Sequence, residues 1–332
     1  MQIPQYWAEA RLVGDAQGRR RVVRRFGWSD VDADQALAHA KARATEALRA
    51  LQAGRRVPRR EAKLAYGDGG LPIREQVLLR RGDLFVTRNA YGARCLNEPD
   101  VLFADVDRQP RLPRWLEFAF RDLLFHGAWI GISTAVAMFA VRSRLLGCAA
   151  LAATVVVPLL LLGLREVLRH RPHNVARGDA AALARIARVV ATIAGGRAAV
   201  YDTPNGFRVL LLHTTFDPAA EATQQLLAAL GTDPAYAQMC ALQRCFRARL
   251  SGKPWRLANG PKGRMPGGVW PVAPERTAAR EQWLARYEAA AKRYAACRFR
   301  EELGTGPVHA RCAAVRRLHD DTSGARSGLP LA

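Results

Sequence analysis

Two apolar stretches dominate the middle of the chain. Residues 127–141 (GAWIGISTAVAMFAV) and 145–164 (LLGCAALAATVVVPLLLLGL) carry no charge, and only Arg142, Ser143 and Arg144 separate them. A helix needs ~20 apolar residues to cross the hydrocarbon core of a bilayer. The second run has that length, and the first reaches it by adding Leu123, Leu124, Phe125 and His126. The pattern predicts a two-helix transmembrane hairpin over residues 112–175. Arg108, Arg111, Arg114 and Arg121 precede it, and Arg165, Arg169, Arg171 and Arg177 follow. Arginine on both flanks places them on the cytoplasmic side. The expectation is a bacterial inner-membrane protein with cytoplasmic soluble parts and membrane lipids as partners.

Around this hairpin the apolar period changes. YWAEARLVG and RRVVRRFGW alternate as two short strands with a turn at Asp15–Gly18, and Ser29 or Asp30 can cap the helix that ends at Gly54. Residues 1–55 thus read as a small basic ββα module. IREQVLLRRGDLFVTRNAYG reads as two strands around an Arg-Gly-Asp turn, and VLFADVD as the next strand. DAAALARIARVVATIAGG has a helical period ending at Gly195–Gly196, and RAAVYDTPNGFRVLLLH reads as strand, turn and strand. With residues 112–175 removed, strand, helix, strand, turn and strand follow one another. The hairpin therefore reads as an insertion into one small sheet, an α/β core over residues 70–111 and 176–255. Residues 219–230 and 277–298 are helical by period, 257–275 are a Gly/Pro loop, and 256–332 form a helical C-terminal region with a disordered tail.

Charge sharpens the functional question. The chain holds 51 Lys and Arg against 29 Asp and Glu, a net +22. That excess favours an acidic partner: DNA, RNA, nucleotides or anionic lipid. Six scattered cysteines behind a polar N-terminus predict reduced thiols and no disulfide scaffold. Among Cys240, Cys245, Cys297, His309, Cys312 and His319, the four-residue gap between Cys240 and Cys245 is within the range zinc sites use, but the other spacings are loose, and buried thiols are the better reading. The chain has no phosphate-binding P-loop, no Gly-x-Ser-x-Gly and no His-Glu-x-x-His, which excludes the chemistries those motifs carry.

In VLFADVD, Asp105 and Asp107 are two residues apart on a strand and project from the same face. Two carboxylates this close repel unless a cation lies between them. Either Mg or Mn supplies that cation and clamps a phosphate, or arginine does. Spacing alone leaves both open.

A strand ending in Asp-x-Asp, a helix and a β-turn-β unit resemble the catalytic core of the archaeo-eukaryotic primase superfamily, the primase–polymerase type. The resemblance covers roughly residues 70–255. It implies an α+β fold: an α/β sandwich on an RRM-like, primase-like sheet, here carrying the inserted hairpin. It also implies that Asp105 and Asp107 are the catalytic carboxylates and hold Mg or Mn. Arg208 stands where the family's second motif has histidine, and the later His213 falls on the opposite face. RARLSGKPWR is similar to the family's basic segment, with Arg247, Arg249 and Lys253 as phosphate contacts beside Arg208 and His213. The third, acidic motif has no clear match, with Asp217 and Asp320 as candidates. Residues 1–55 are similar to the small N-terminal DNA-binding modules of tyrosine recombinases. Two functions follow. One is a membrane-anchored nucleotide- or nucleic-acid-binding domain, with metal-dependent nucleotidyl transfer or a degenerate site that only binds. The other is a non-catalytic membrane protein whose basic cytoplasmic face binds nucleic acid or anionic lipid.

Overall fold

A computed structural model describes residues 1–58, 61, 71–140, 144–268 and 270–332. The chain divides into two compact units, residues 1–106 with 188–332, and residues 107–187. The first unit begins with strands β1 (Tyr6–Ala16) and β2 (Arg19–Ser29), paired antiparallel from Tyr6 opposite Ser29 to Ala16 opposite Arg19. Gln17 and Gly18, both at positive φ, make the two-residue turn that suits strand twist. Helix α1 (Ala33–Gln52) lays Ala36, Ala40, Ala44, Ala47 and Ala50 on this hairpin. The cap is Asp32, which accepts from the Gln35 N–H at 2.6 Å; Ser29 and Asp30 do not serve.

Eight further strands follow: β3 (Gln76–Arg81), β4 (Leu84–Arg88), β5 (Arg94–Glu98), β6 (Phe103–Asp107), β7 (Ala198–Thr203), β8 (Gly206–Leu211), β9 (Phe246–Arg249) and β10 (Arg298–Leu303). They form two four-stranded sheets where sequence reading expects one. The first runs β3-β4-β5-β9 and the second β10-β7-β8-β6. β5 and β9 hide from sequence reading because they are short and polar. Asn97 and Glu98 are nonetheless fully buried, and Asn97 Nδ2 bonds Thr87 Oγ1 at 2.9 Å. β10, RFREEL, is masked by its charges. The β7–β8 turn at Pro204–Asn205 is as expected, with Thr203 opposite Gly206.

Between β6 and β7 lie α2 (Arg114–Ala140), α3 (Arg144–Arg169) and α4 (Pro172–Thr192). Here the structure corrects the fold expected above. Among the described residues, no helix is long and apolar enough to cross a membrane. Charged residues flank the apolar runs. The first turns of α2 hold Glu117, Arg121 and Asp122, and the last turns of α3 hold Arg165, Glu166 and Arg169. Glu117 and Arg165 pair across the two helices at 2.6 Å. The described residues make an α+β fold, and the expected transmembrane hairpin is not supported among them. Arg142 and Ser143 of the expected tight turn lie outside the described residues.

The chain continues through α5 (Glu221–Leu230), α6 (Pro234–Gln243), α7 (Thr277–Ala291) and α8 (Ala310–Ser323). The expected long helix over 277–298 ends at Ala291. The C-terminus is ordered, contrary to the expectation. Ala332 is buried, its N–H bonds the Ala295 carbonyl at 3.1 Å, and the Ala295 N–H bonds the Pro330 carbonyl at 2.9 Å.

Candidate nucleotide and nucleic-acid site

The two sheets of the first unit meet at their edge strands β6 and β9. The Tyr236 hydroxyl of α6 fastens them. It lies 2.9 Å from the Phe103 carbonyl and 2.9 Å from the Arg247 carbonyl, and accepts from the Arg247 N–H at 3.2 Å. Burial holds this phenol well above its ordinary pKa, with Cys240 and the Asp105 carboxylate adding to the effect. Tyr236 thus sits neutral as a fixed link beside Asp105.

Asp105 is half-buried and Asp107 exposed, and strand alternation sets both on the face of β6 that carries Phe103. The Leu211 N–H bonds the Leu102 carbonyl at 3.1 Å and the Phe216 N–H bonds the Asp100 carbonyl at 2.7 Å, so β8 runs antiparallel to β6. Continuing that register sets Asp105 across from Arg208. No ion pair joins them among the described interactions. The Arg208 side chain is 3% exposed and turns inward. Its Nη1 donates to the Arg249 carbonyl at 2.9 Å and contacts His319 Nε2 at 3.0 Å. Because a guanidinium only donates, Nε2 must carry the lone pair, and the His319 Nδ1–H donates to Asp320 at 2.9 Å. Arg208 therefore serves the packing of α8 on the sheet. Asp320 belongs to the same network and is no partner for Asp105.

The other residues expected to contact phosphate separate into two sets. Arg247, largely withdrawn from solvent, pairs with the buried Glu75 at 2.5 Å, and Glu75 accepts from Thr87 Oγ1 at 2.6 Å. His213 is half-buried with its ring 5.6 Å from Phe216, and its Nδ1 has no partner. Asp217, the other candidate for the acidic motif, is exposed and caps Ala219 N–H at 2.9 Å. Arg249 and Lys253 are placed differently. Arg249 faces Cys95 across β5, hydrogen-bonds the Tyr91 phenol and feels the Asp105 carboxylate. Burial opposes its charge, but Tyr91, Cys95 and Asp105 together raise its pKa. Its Nε is buried with no partner. The Tyr91 ring lies 5.3 Å from Trp255, which is 66% exposed on a short 3-10 turn (Pro254–Arg256). Lys253 Nζ sits 5.5 Å from the Trp255 ring centroid.

Asp105, Arg249, Tyr91, Trp255 and Lys253 thus form one line from a carboxylate to an open aromatic platform. Tyr91 is the member that sequence reading missed. Its place in the Asn-Ala-Tyr-Gly turn shows no aromatic–basic alternation, whereas Arg-Leu-Ser-Gly-Lys-Pro-Trp does.

Asp105 and Asp107 supply two of the oxygen donors that Mg or Mn uses. Among the described residues, no group of three or more His, Cys, Asp or Glu can hold a metal ion. The Asp105 carboxylate helps to raise the Arg249 pKa, without an ion pair between them among the described interactions. The donor set is incomplete for a nucleotidyl-transfer centre. Cys240 and Cys245 are buried thiols, each pushed up to about 12 mainly by burial. No family model, curated protein or solved structure matches this chain.

Proposed function

We propose that this chain binds nucleotides or single-stranded nucleic acid along the line from Asp105 to Trp255, using a primase–polymerase-like core for binding. The carrying observation is Trp255, a large indole left 66% exposed, backed by Tyr91 and flanked by Lys253. An exposed ring on a rigid aromatic neighbour gives a base a face to stack on, and adjacent cations meet the phosphates. Arg249 holds a phosphate-competent guanidinium in place, with Tyr91 and Asp105 setting its orientation. The net +22 supplies long-range attraction and a salt-dependent affinity.

The test is fluorescence anisotropy with a labelled single-stranded oligonucleotide, a matched duplex and a labelled nucleotide. A stacked base is worth ~1–3 kcal/mol by alanine substitution, so Trp255→Ala should weaken single-strand binding roughly 5- to 150-fold. Phe should restore most of it. Equal binding of duplex and single strand, untouched by Trp255→Ala, refutes the stacking site. A second reading, metal-dependent nucleotidyl transfer, rests on Asp105 and Asp107 sharing a strand face. Adding Mn²⁺ to the same titration separates the two readings. Binding that is indifferent to Mn²⁺ and to Asp105→Asn supports binding alone. Mn²⁺-dependent binding lost in Asp105→Asn would support the second reading.

A further inference from the structure

The second unit carries a surface that the nucleic-acid reading does not use. On α2, Trp115, Phe118, Phe125, Trp129, Ile132 and Val136 are all 48–70% exposed. Successive spacings of three, seven, four, three and four residues put them on one face of the helix. At 1.5 Å per residue the stripe is ~32 Å long. Four of its six members are aromatic. Contiguous exposed apolar surface on this scale marks an interaction site.

The stripe is not purely apolar at its N-terminal end. A cavity of about 490 Å³ opens between α2 and α3, with Phe118, Phe120 and Leu124 in its walls. Arg114, Arg121 and Arg165 line it, with Glu117 as its acid. Glu117 is spent on Arg165 at 2.6 Å. Arg121 is 71% exposed, packs over the Phe118 ring at 4.8 Å and lies only 3.7 Å from Asp122. Arg114 is exposed at the first position of the helix. The cavity therefore pairs apolar walls with cationic side chains.

That combination selects among occupants. A nucleic acid would satisfy the guanidinium groups but leave the indoles and phenyl rings in water. A second copy of this chain, itself at a net +22, would meet these arginines with a strongly basic molecule. An anionic phospholipid satisfies both halves, with phosphate at the guanidinium groups and acyl chains against the stripe. Aromatic residues on one face with arginine beside them are the signature of a helix lying in a lipid interface.

We propose that α2 lies on the surface of an anionic phospholipid layer, its aromatic stripe at the headgroup–acyl boundary and a lipid phosphate held by Arg114 and Arg121. The helix lies in the plane of the surface and does not cross it. This site is independent of the Trp255 platform.

The test uses the full chain in vesicle flotation, with phosphatidylcholine vesicles alone and vesicles that also contain phosphatidylglycerol. The chain should float with the anionic vesicles, and salt should weaken the association. Each interfacial arginine is worth about fivefold in partitioning, so Arg114→Glu with Arg121→Glu should cut flotation at least roughly 25-fold. Trp129→Ser should weaken it as well. Oligonucleotide binding by both variants, whose substitutions are not part of the Trp255 platform, checks that each chain is folded. Equal flotation on neutral and anionic vesicles, or no loss on charge reversal, overturns the phosphate site. No flotation, together with a dimer in light scattering that Trp129→Ser dissolves, assigns the stripe to a second copy and overturns the proposal.

Discussion

Glu98→Gln should make the folded chain less sensitive to pH above the acid range. Glu98 ends β5, is fully buried and shares Arg311 with Asp83 and Asp100. Arg311 Nη2 reaches Glu98 Oε1 at 2.5 Å and Asp83 at 2.9 Å, and its Nε bonds Asp100. Three carboxylates on one guanidinium leave negative charge uncompensated, and Glu98 Oε2 is buried with no donor. A proton on that oxygen resolves both problems. Burial is the main force raising the Glu98 pKa, the hydrogen bond to Asp100 adds to it and Arg311 opposes it, with the result at about 8. In the unfolded chain the group ionises near 4.5. The folded state thus holds a proton that the unfolded state releases. Its stabilising effect is fully present below 4.5, declines as pH rises and is gone above about 8. One pKa unit corresponds to ~1.4 kcal/mol, so the ceiling is on the order of 5 kcal/mol. Asp100 and Asp83 face solvent, at 37% and 59% side-chain exposure. Screening there brings the working figure to about 2–3 kcal/mol. Glutamine is neutral at every pH and keeps an oxygen for Arg311. Urea titrations followed by tryptophan fluorescence should show wild type losing stability from pH 4.5 to 8 relative to the variant. At pH 8 the variant should lead by about 2–3 kcal/mol. Stability curves that stay parallel over this window would refute a protonated Glu98.

Three further outcomes test the packing. Gly27→Ala should unfold the N-terminal module, because an added Cβ would fall 2.1 Å from the Ala40 nitrogen and 2.4 Å from the Ala36 carbonyl oxygen. Loss of α1 helicity in circular dichroism checks it, and a native spectrum argues against the hairpin–helix contact. Arg247→Met should cost about 3–5 kcal/mol in thermal unfolding, since it strands the Glu75 carboxylate, and adding Glu75→Met should recover much of the loss. A thiol reagent applied to the folded chain should label Cys148, the exposed cysteine, and spare Cys95, Cys240, Cys245, Cys297 and Cys312, which are buried; mass spectrometry of the digest reads the pattern.

How much was legible from sequence depends on which force set each element. Alternation and turn chemistry are local, so β1–β2, the Arg81–Asp83 turn and the β7–β8 hairpin follow directly from the residues. VLFADVD likewise ends as a strand at Asp107. The second sheet is not local. β5 and β9 pair across about 150 residues, and their buried polar groups are satisfied by partners no window of sequence contains, such as Glu75 for Arg247. The apolar runs over 127–164 misled for another reason. Hydropathy reads a run of apolar residues along the chain, and among the described residues no helix is long and apolar enough to cross a membrane. Of the expected site residues, Arg249 and Lys253 join Asp105 and Trp255. Arg208 and Arg247 are drawn inward by groups far away in sequence, His319 and Glu75.

The arginine-rich composition bears on the aspartate question. In this fold, carboxylates in and around the core are met by arginine: Glu75 by Arg247, Glu98 by Arg311, Glu288 by Arg88, and Glu302 by Arg197 and Arg316. Asp320 likewise lies near Arg316 and Arg326. Asp105 differs: its carboxylate contributes to raising the Arg249 pKa, but the two form no ion pair among the described interactions. What distinguishes Arg249 is its outlook. Glu75–Arg247 is sealed in a hydrogen-bonded interior, whereas Arg249 keeps an unmet Nε and leads through Tyr91 to an exposed indole. A half-buried cation with an unmet Nε and an exposed indole nearby is the arrangement on which the proposed binding reading rests. On the proposed reading phosphate and base would meet at Arg249 and Trp255, and the Mn²⁺ titration decides whether a metal at Asp105 takes part.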